Sequence, residues 1–146
     1  MSLIDLSPYT RARRTATNAY AADSAMRAYA RLLSQQRGAR QITDLNKQYA
    51  DQTPRLMASY GQRNLAGPNI SSGIYSRGLQ DFAAKQYSDA NSLQSRINEQ
   101  LQKIDLQQTR ARESWQNRLA DIEMQKQAKI AQTAAQINRM KPLMGG

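Results

Sequence analysis

The chain has no cysteine, no histidine and no valine, and only one phenylalanine (Phe82) and one tryptophan (Trp115) among its 146 residues. Each scarcity closes a class. Without cysteine there is no disulfide, and without cysteine or histidine there is no thiolate or imidazole site for zinc. A nucleophile activated by histidine is excluded as well. The lack of valine, with few β-branched residues of any kind, speaks against a sheet. So small an apolar supply suits narrow helical seams better than a thick core. No apolar run approaches the ~18 residues of a membrane-spanning helix. The opening MSLIDLSPYTRARR has an arginine cluster with no apolar stretch after it, so it is not read as a secretory signal.

What is present is glutamine, arginine, alanine, serine and leucine, a composition rich in helix formers. The net charge is +10. Residues 1–64 carry ten Lys/Arg against four Asp/Glu, and the remainder eleven against seven. A basic balance favours acidic partners: nucleic acid, anionic lipid or an acidic protein surface. Arginine, which dominates the N-terminal surplus, suits bidentate contact with phosphates and carboxylates.

Ser7-Pro8 reads as a helix start, with serine as cap and proline at the first helical position. The pattern from there to about Asp51 is helical. Ala22, Ala25, Tyr29, Leu32 and Leu33 fall on one side, widened by Met26 and Ala30, and apolar positions resume at Ile42, Leu45 and Tyr49. The two sets do not share one heptad phase, and Gly38 between them is a weak point. Thr53-Pro54 is a second start signal, predicting a short helix to about Gln62. Residues 1–60 thus form a basic helical arm. GQRNLAGPNISSG, residues 61–73, is a loop by its glycines, Pro68 and Asn69, and Ser71 or Ser72 can cap the next helix. Asn69-Ile70-Ser71 fits a glycosylation acceptor, but no secretory signal accompanies it.

Residues 74–141 read as one long amphipathic helix, closed by Lys141-Pro142, with residues 142–146 as a tail. No glycine occurs between Gly78 and Gly145, and no proline between Pro68 and Pro142. Its apolar stripe repeats every eleven residues in steps of three and four. Leu79, Phe82, Leu93, Ile97, Leu101, Ile104, Trp115, Leu119, Ile122, Ile130 and Ile137 occupy it, with Ala90 and Ala111. Gln86, Gln108, Lys126 and Thr133 are its polar exceptions. Eleven residues over three turns predicts a nearly straight seam rather than a left-handed heptad coil. A seam of that length outruns what the rest of the chain is expected to shield, which predicts packing against other molecules. The stripe residues are the candidate helix-packing and oligomer interface.

No catalytic constellation emerges. The carboxylates are spread along helices, Asp121 and Glu123 face different directions, and no GxSxG occurs. GPNISSG lacks the Lys-Ser/Thr ending of a phosphate loop and is preceded by no strand. The chain is read as no enzyme, with no cofactor and no metal site. Arg11, Arg13, Arg14, Arg27 and Arg31, interleaved with Tyr9, Tyr20 and Tyr29, are the candidate contacts to an acidic protein or to phosphates. A membrane-lying face is disfavoured, because the polar side of the long helix carries acids as well as bases and its apolar side is thin.

The run Tyr60-Gly61-Gln62-Arg63-Asn64-Leu65, then Ser72-Gly73-Ile74-Tyr75-Ser76-Arg77-Gly78-Leu79-Gln80, leads directly into the long Gln/Arg/Ala-rich helix. This resembles small helical proteins of tailed-bacteriophage virions, in which a glycine-rich turn precedes a coiled-coil rod. The resemblance implies a minor virion component at the tail, neck or interior, assembled in the bacterial cytoplasm and held by other virion proteins and copies of itself. It implies no catalytic residue. The expected fold is all-α: a long helical hairpin or a bent two-arm rod, coiled-coil-like and oligomeric. The expected function is bridging or plugging at the tail or head–tail region. The alternatives are a DNA-contacting internal or ejected virion protein and a membrane-active amphipathic protein.

Overall fold

A computed structural model of the protein describes residues 4–62 and 73–144. They form two helices, α1 (Ser7–Gln62) and α2 (Gly73–Met144), and no strand occurs among the described residues. The all-α expectation therefore holds. Residues 63–72 lie outside the described residues, and with them most of the expected loop, Asn69, the two candidate cap serines and part of the segment behind the resemblance.

Three local expectations change. Asp5, not Ser7, caps α1: its Oδ1 accepts from the Ser7 backbone N–H at 3.0 Å. The helical bonds then begin with Tyr9 and Thr10 N–H donating to the Leu6 carbonyl. Pro8 falls where its missing N–H has no helical partner to lose. Hydrogen bonds from Ser7 hold the Asp5 carboxyl below its usual range, and the charge suits a helix N-terminus.

Pro54 does not start a new helix; it sits inside α1. It deletes one backbone bond without stopping the helix, and the Thr53 hydroxyl donates to the Tyr49 carbonyl at 2.8 Å on the same turn. Likewise α2 does not end at residue 141 but runs to Met144.

The described chain divides into two compact units, Met1–Tyr29 with Asp105–Gly146, and Ala30–Ile104. Each therefore takes part of α1 and part of α2. In the first unit, Arg13 meets Glu123, Thr17 and Tyr20 meet Trp115, and Ser24 and Arg27 meet Gln108. In the second, Gly38 meets Ile97, Tyr49 meets Phe82 and Asp89, and Tyr60 meets Tyr75. Rising numbers on α1 meet falling numbers on α2, so both units are antiparallel helix pairs.

The cover on α2 is thus supplied largely by this chain, against the expectation that the chain cannot shield the stripe. The reason is that neither Gly38 nor Pro54 breaks α1. The side of α1 that faces α2 departs from the apolar side expected over residues 22–32, whereas Leu33, Ile42, Leu45 and Tyr49 are sheltered as expected. Ala12, Ala16, Tyr20, Ser24 and Arg27 in the first unit, and Leu33, Ser34, Gly38, Ile42, Leu45, Tyr49, Thr53, Leu56 and Tyr60 in the second, are among the buried or half-buried positions. Ala22, Ala25, Met26, Tyr29, Ala30 and Leu32 are exposed.

Candidate functional site

On α2 the eleven-residue stripe is the sheltered face. In the second unit Leu79, Phe82, Leu93, Leu101 and Ile104 are half-buried and Ile97 is buried. In the first unit Trp115, Leu119 and Ile130 are half-buried, Ile122 is buried and Ile137 is exposed. The polar exceptions Gln86, Gln108, Lys126 and Thr133 are half-buried with them. Two helices side by side shelter the line of contact and leave both flanks open. Tyr49, Ile97 and Ile122 are accordingly the buried hydrophobics among the described residues.

The seam of the second unit is built on size complementarity. A Cβ at Gly38 would stand 2.9 Å from both Cδ1 and Cγ2 of Ile97. Glycine there lets the isoleucine seat directly on the α1 backbone. Further along, the Tyr49 hydroxyl donates to Asp89 Oδ2, and the Tyr49 ring tilts against Phe82 at 5.2 Å between centroids. That hydrogen bond to a carboxylate, with burial, pushes the Tyr49 hydroxyl above its ordinary range. Tyr60 meets Tyr75 edge-on at 5.5 Å, and its hydroxyl lies where a side chain on Gly78 would begin. The Gly78 of the resemblance segment is explained by that contact.

The seam of the first unit is polar at one point. Gln108 Nε2 donates to Tyr20 Oη at 3.0 Å and to Ser24 Oγ at 2.9 Å, while its Oε1 accepts from Arg27 Nε at 2.6 Å. Both amide hydrogens and the carbonyl are used. The Tyr20 ring stacks on Trp115 at 4.6 Å and 6°, and Trp115 Nε1 donates to Thr17 Oγ1 at 3.3 Å. Hydrogen bonds from Ser24 and then Arg112 hold the Tyr20 hydroxyl below its usual range. A shallow groove of about 330 Å³ beside this stack is walled by Ala12, Ala16, Ala19 and Ala111.

The five candidate arginines divide. Arg27 belongs to the seam rather than to an outward phosphate contact: its Nε is spent on Gln108, and its Nη2 is shut from solvent without a hydrogen-bond partner. Arg31 is half-buried too. Arg13 lies 3.9 Å from Glu123, with both side chains about half exposed. Such a pair contributes little to stability. Glu123 is held below its usual range chiefly by Gln127, then by Lys126, with Arg13 last. Arg11 and Arg14 are exposed beside Thr10 at the start of α1.

Reading by hydrophobicity alone missed Ser24, Arg27 and Gly38 as seam residues, whereas Gln108 already stood on the stripe as a polar exception. The signal that finds them is the eleven-residue period of α2 carried into α1, where 27, 38, 49 and 60 fall in step. Among the described residues no cluster of three or more acidic, cysteine or histidine side chains is placed to hold a metal ion. No helix in them is long and apolar enough to cross a membrane. No family model, no curated protein and no solved structure matches the chain.

Proposed function

We propose that this chain is a non-enzymatic structural protein, a helix pair whose outer surfaces are the places where neighbouring subunits pack. One observation carries the reading. The pairing spends its apolar stripe on a thin seam, yet Met26, Tyr29 and Met124 in the first unit and Ile74 and Tyr87 in the second are each more than 60% exposed. Large apolar side chains left outside a helix pair with so little core favour an assembled state over a working monomer. The resemblance of the Tyr60–Gln80 segment to tailed-bacteriophage proteins supplies the setting: a virion component that bridges or plugs at the tail or the head–tail region, among other virion proteins and copies of itself.

The reading in which the basic arm grips DNA has less to draw on, because Arg27 is committed to Gln108 and Arg13 lies beside Glu123. The test has two arms. Mass spectrometry of gradient-purified phage particles from cells expressing the chain should find it at fixed stoichiometry, and light scattering of the purified protein should give a mass above one chain. A monomer that never enters particles overturns the proposal. Duplex binding that collapses between low and moderate salt would replace it with the DNA reading.

A further inference from the structure

The seam repeats, so its outline alone does not fix how α1 and α2 align. Facing residue numbers add to 135 within each unit: Tyr20 with Trp115 and Arg27 with Gln108 in the first, Gly38 with Ile97 and Tyr60 with Tyr75 in the second. Sheltered positions recur every eleven residues on each helix, at 27, 38, 49 and 60 on α1 and at 86, 97, 108, 119 and 130 on α2. Sliding one helix past the other by eleven residues, about 16.5 Å, lays sheltered positions on sheltered positions again. Apolar burial is non-directional and changes little in such a slip. The helix ends do not forbid it either: Gly61 and Gly73, near the end of α1 and at the start of α2, have open space where a side chain would begin.

Chemistry breaks the repeat at one layer. Gln108 is in phase with Ile97, Leu119 and Ile130, and Arg27 is in phase with Gly38 and Tyr49. In the observed alignment Gln108 Oε1 accepts from Arg27 Nε at 2.6 Å, and its Nε2 donates to Tyr20 and Ser24. A slip of eleven residues one way sets Arg27 against Leu119. The other way sets Gln108 against Ala16. Either leaves half-buried polar groups facing carbon, and each unmade bond then costs the desolvation of its group. Greatest stability alone would not select this layer. Arg27 Nη2 is shut from solvent without a hydrogen-bond partner, and buried charged sets are often no more stable than apolar ones of similar volume. What a polar residue in a helical seam does confer is a single register, at a cost in stability.

We propose that Tyr20, Ser24, Arg27 and Gln108 form a register lock. They hold α1 and α2 in one of several alignments that the eleven-residue repeat leaves close in apolar burial. The lock decides which outward residues stand level across the pair, and so which surface a neighbour meets. It acts within one chain and does not depend on the proposed structural role.

The chain has no cysteine, so two can be placed for spin labels without competition. Asn18 and Asn117 are exposed and their numbers add to 135, so they stand level in the first unit. Double electron–electron resonance on the full chain with Asn18→Cys and Asn117→Cys, diluted about tenfold in unlabelled chain, should give one distance. Adding Arg27→Leu with Gln108→Leu should bring in a second, longer distance carrying at least a fifth of the molecules, while the melting temperature holds or rises. Moving the acceptor by one repeat, with Gln108→Leu and Leu119→Gln, should make the longer distance the major one, because Arg27 then meets glutamine only after the slip. Circular dichroism should show helicity unchanged in both variants. The native distance alone in both overturns the inference. A lowered melting temperature with that distance kept would show that the cluster stabilises the pair without selecting its alignment. Loss of helicity in both variants overturns it as well, because a slipped pair would then not be a folded one.

Discussion

Gly38 and Ile97 form a single joint, and its sign can be worked out. Alanine at residue 38 would favour helix by about 1 kcal/mol. Its Cβ would also press on two methyl groups of Ile97 at 2.9 Å. Ile97 is 6% exposed and stiff at χ1, so it has little room to withdraw. Overpacking of this kind costs about 1–3 kcal/mol. The clash wins, and Gly38→Ala should lose about 1 kcal/mol in urea unfolding. Ile97→Ala alone should lose about 2–3 kcal/mol, in the lower part of the usual range because the seam is thin. The double variant should lose less than the sum by at least about 0.5 kcal/mol, since the smaller side chain makes room for the new Cβ; strict additivity would show that the two do not share a contact. Tyr49 gives a prediction in pH. Its pKa is raised in the folded chain by the bond to Asp89. A raised value means that the stabilisation is fully present below the unfolded tyrosine value near ~10, and is lost as pH climbs through the folded value. Tyr49→Phe should therefore flatten the alkaline limb of the stability profile, and an unchanged limb would rule out this hydrogen bond as its source.

At the scale of the element, α1 survives two residues that should interrupt it. Pro54 removes the bond that residue 54 would donate to the Ala50 carbonyl, and proline in a helix interior is about 3 kcal/mol poorer than alanine. The Pro54 side chain is exposed, so no packing offsets the deficit. Pro54→Ala should raise stability by about 1–3 kcal/mol and slow amide exchange over residues 50–58. A loss of stability would mean that the turn at Pro54 is needed for Tyr49 and Leu56 to reach α2. The same helix shows where sequence reading works and where it fails. The α2 stripe was legible because large apolar residues fill most of its positions, and every one from Leu79 to Thr133 is sheltered. The α1 face was legible only in part: Ile42, Leu45 and Tyr49 are sheltered as their pattern predicts, but elsewhere the face offers the complement, with glycine opposite Ile97, alanines beside Trp115, and serine and arginine opposite Gln108. Positions that receive bulky neighbours in this way have no hydrophobic signature of their own. The apolar residues that do stand out, Met26 and Tyr29, point away from the seam. The cap failed for a similar reason, since Ser7-Pro8 is a good start signal but the carboxylate of Asp5 reaches the Ser7 N–H first.

At the scale of the molecule, two effects oppose each other. Exposed apolar side chains draw copies together, whereas a net charge of +10 on 146 residues pushes them apart. Which one wins depends on ionic strength. The screening length is about 30 Å at 0.01 M and about 8 Å at 0.15 M salt, so repulsion between neighbouring chains fades over that range while apolar burial does not. Self-assembly of this chain should therefore tighten as salt rises, the reverse of what salt does to a contact with nucleic acid. Any state in which copies bind one another also makes the melting temperature rise with protein concentration. The expected outcome is a melting temperature that climbs over about a hundredfold concentration range, and climbs more steeply at moderate salt than at low salt. Met26→Glu with Met124→Glu supplies the control. Both methionines are about 70% exposed, so in an isolated chain the change should fall within about 0.5 kcal/mol of neutral. If these faces carry the packing, the double variant keeps its dilute-limit melting temperature and loses the concentration dependence. A melting temperature flat in concentration at every salt would leave the outer methionines without a homotypic role, and the covering of these faces would then fall to other proteins alone.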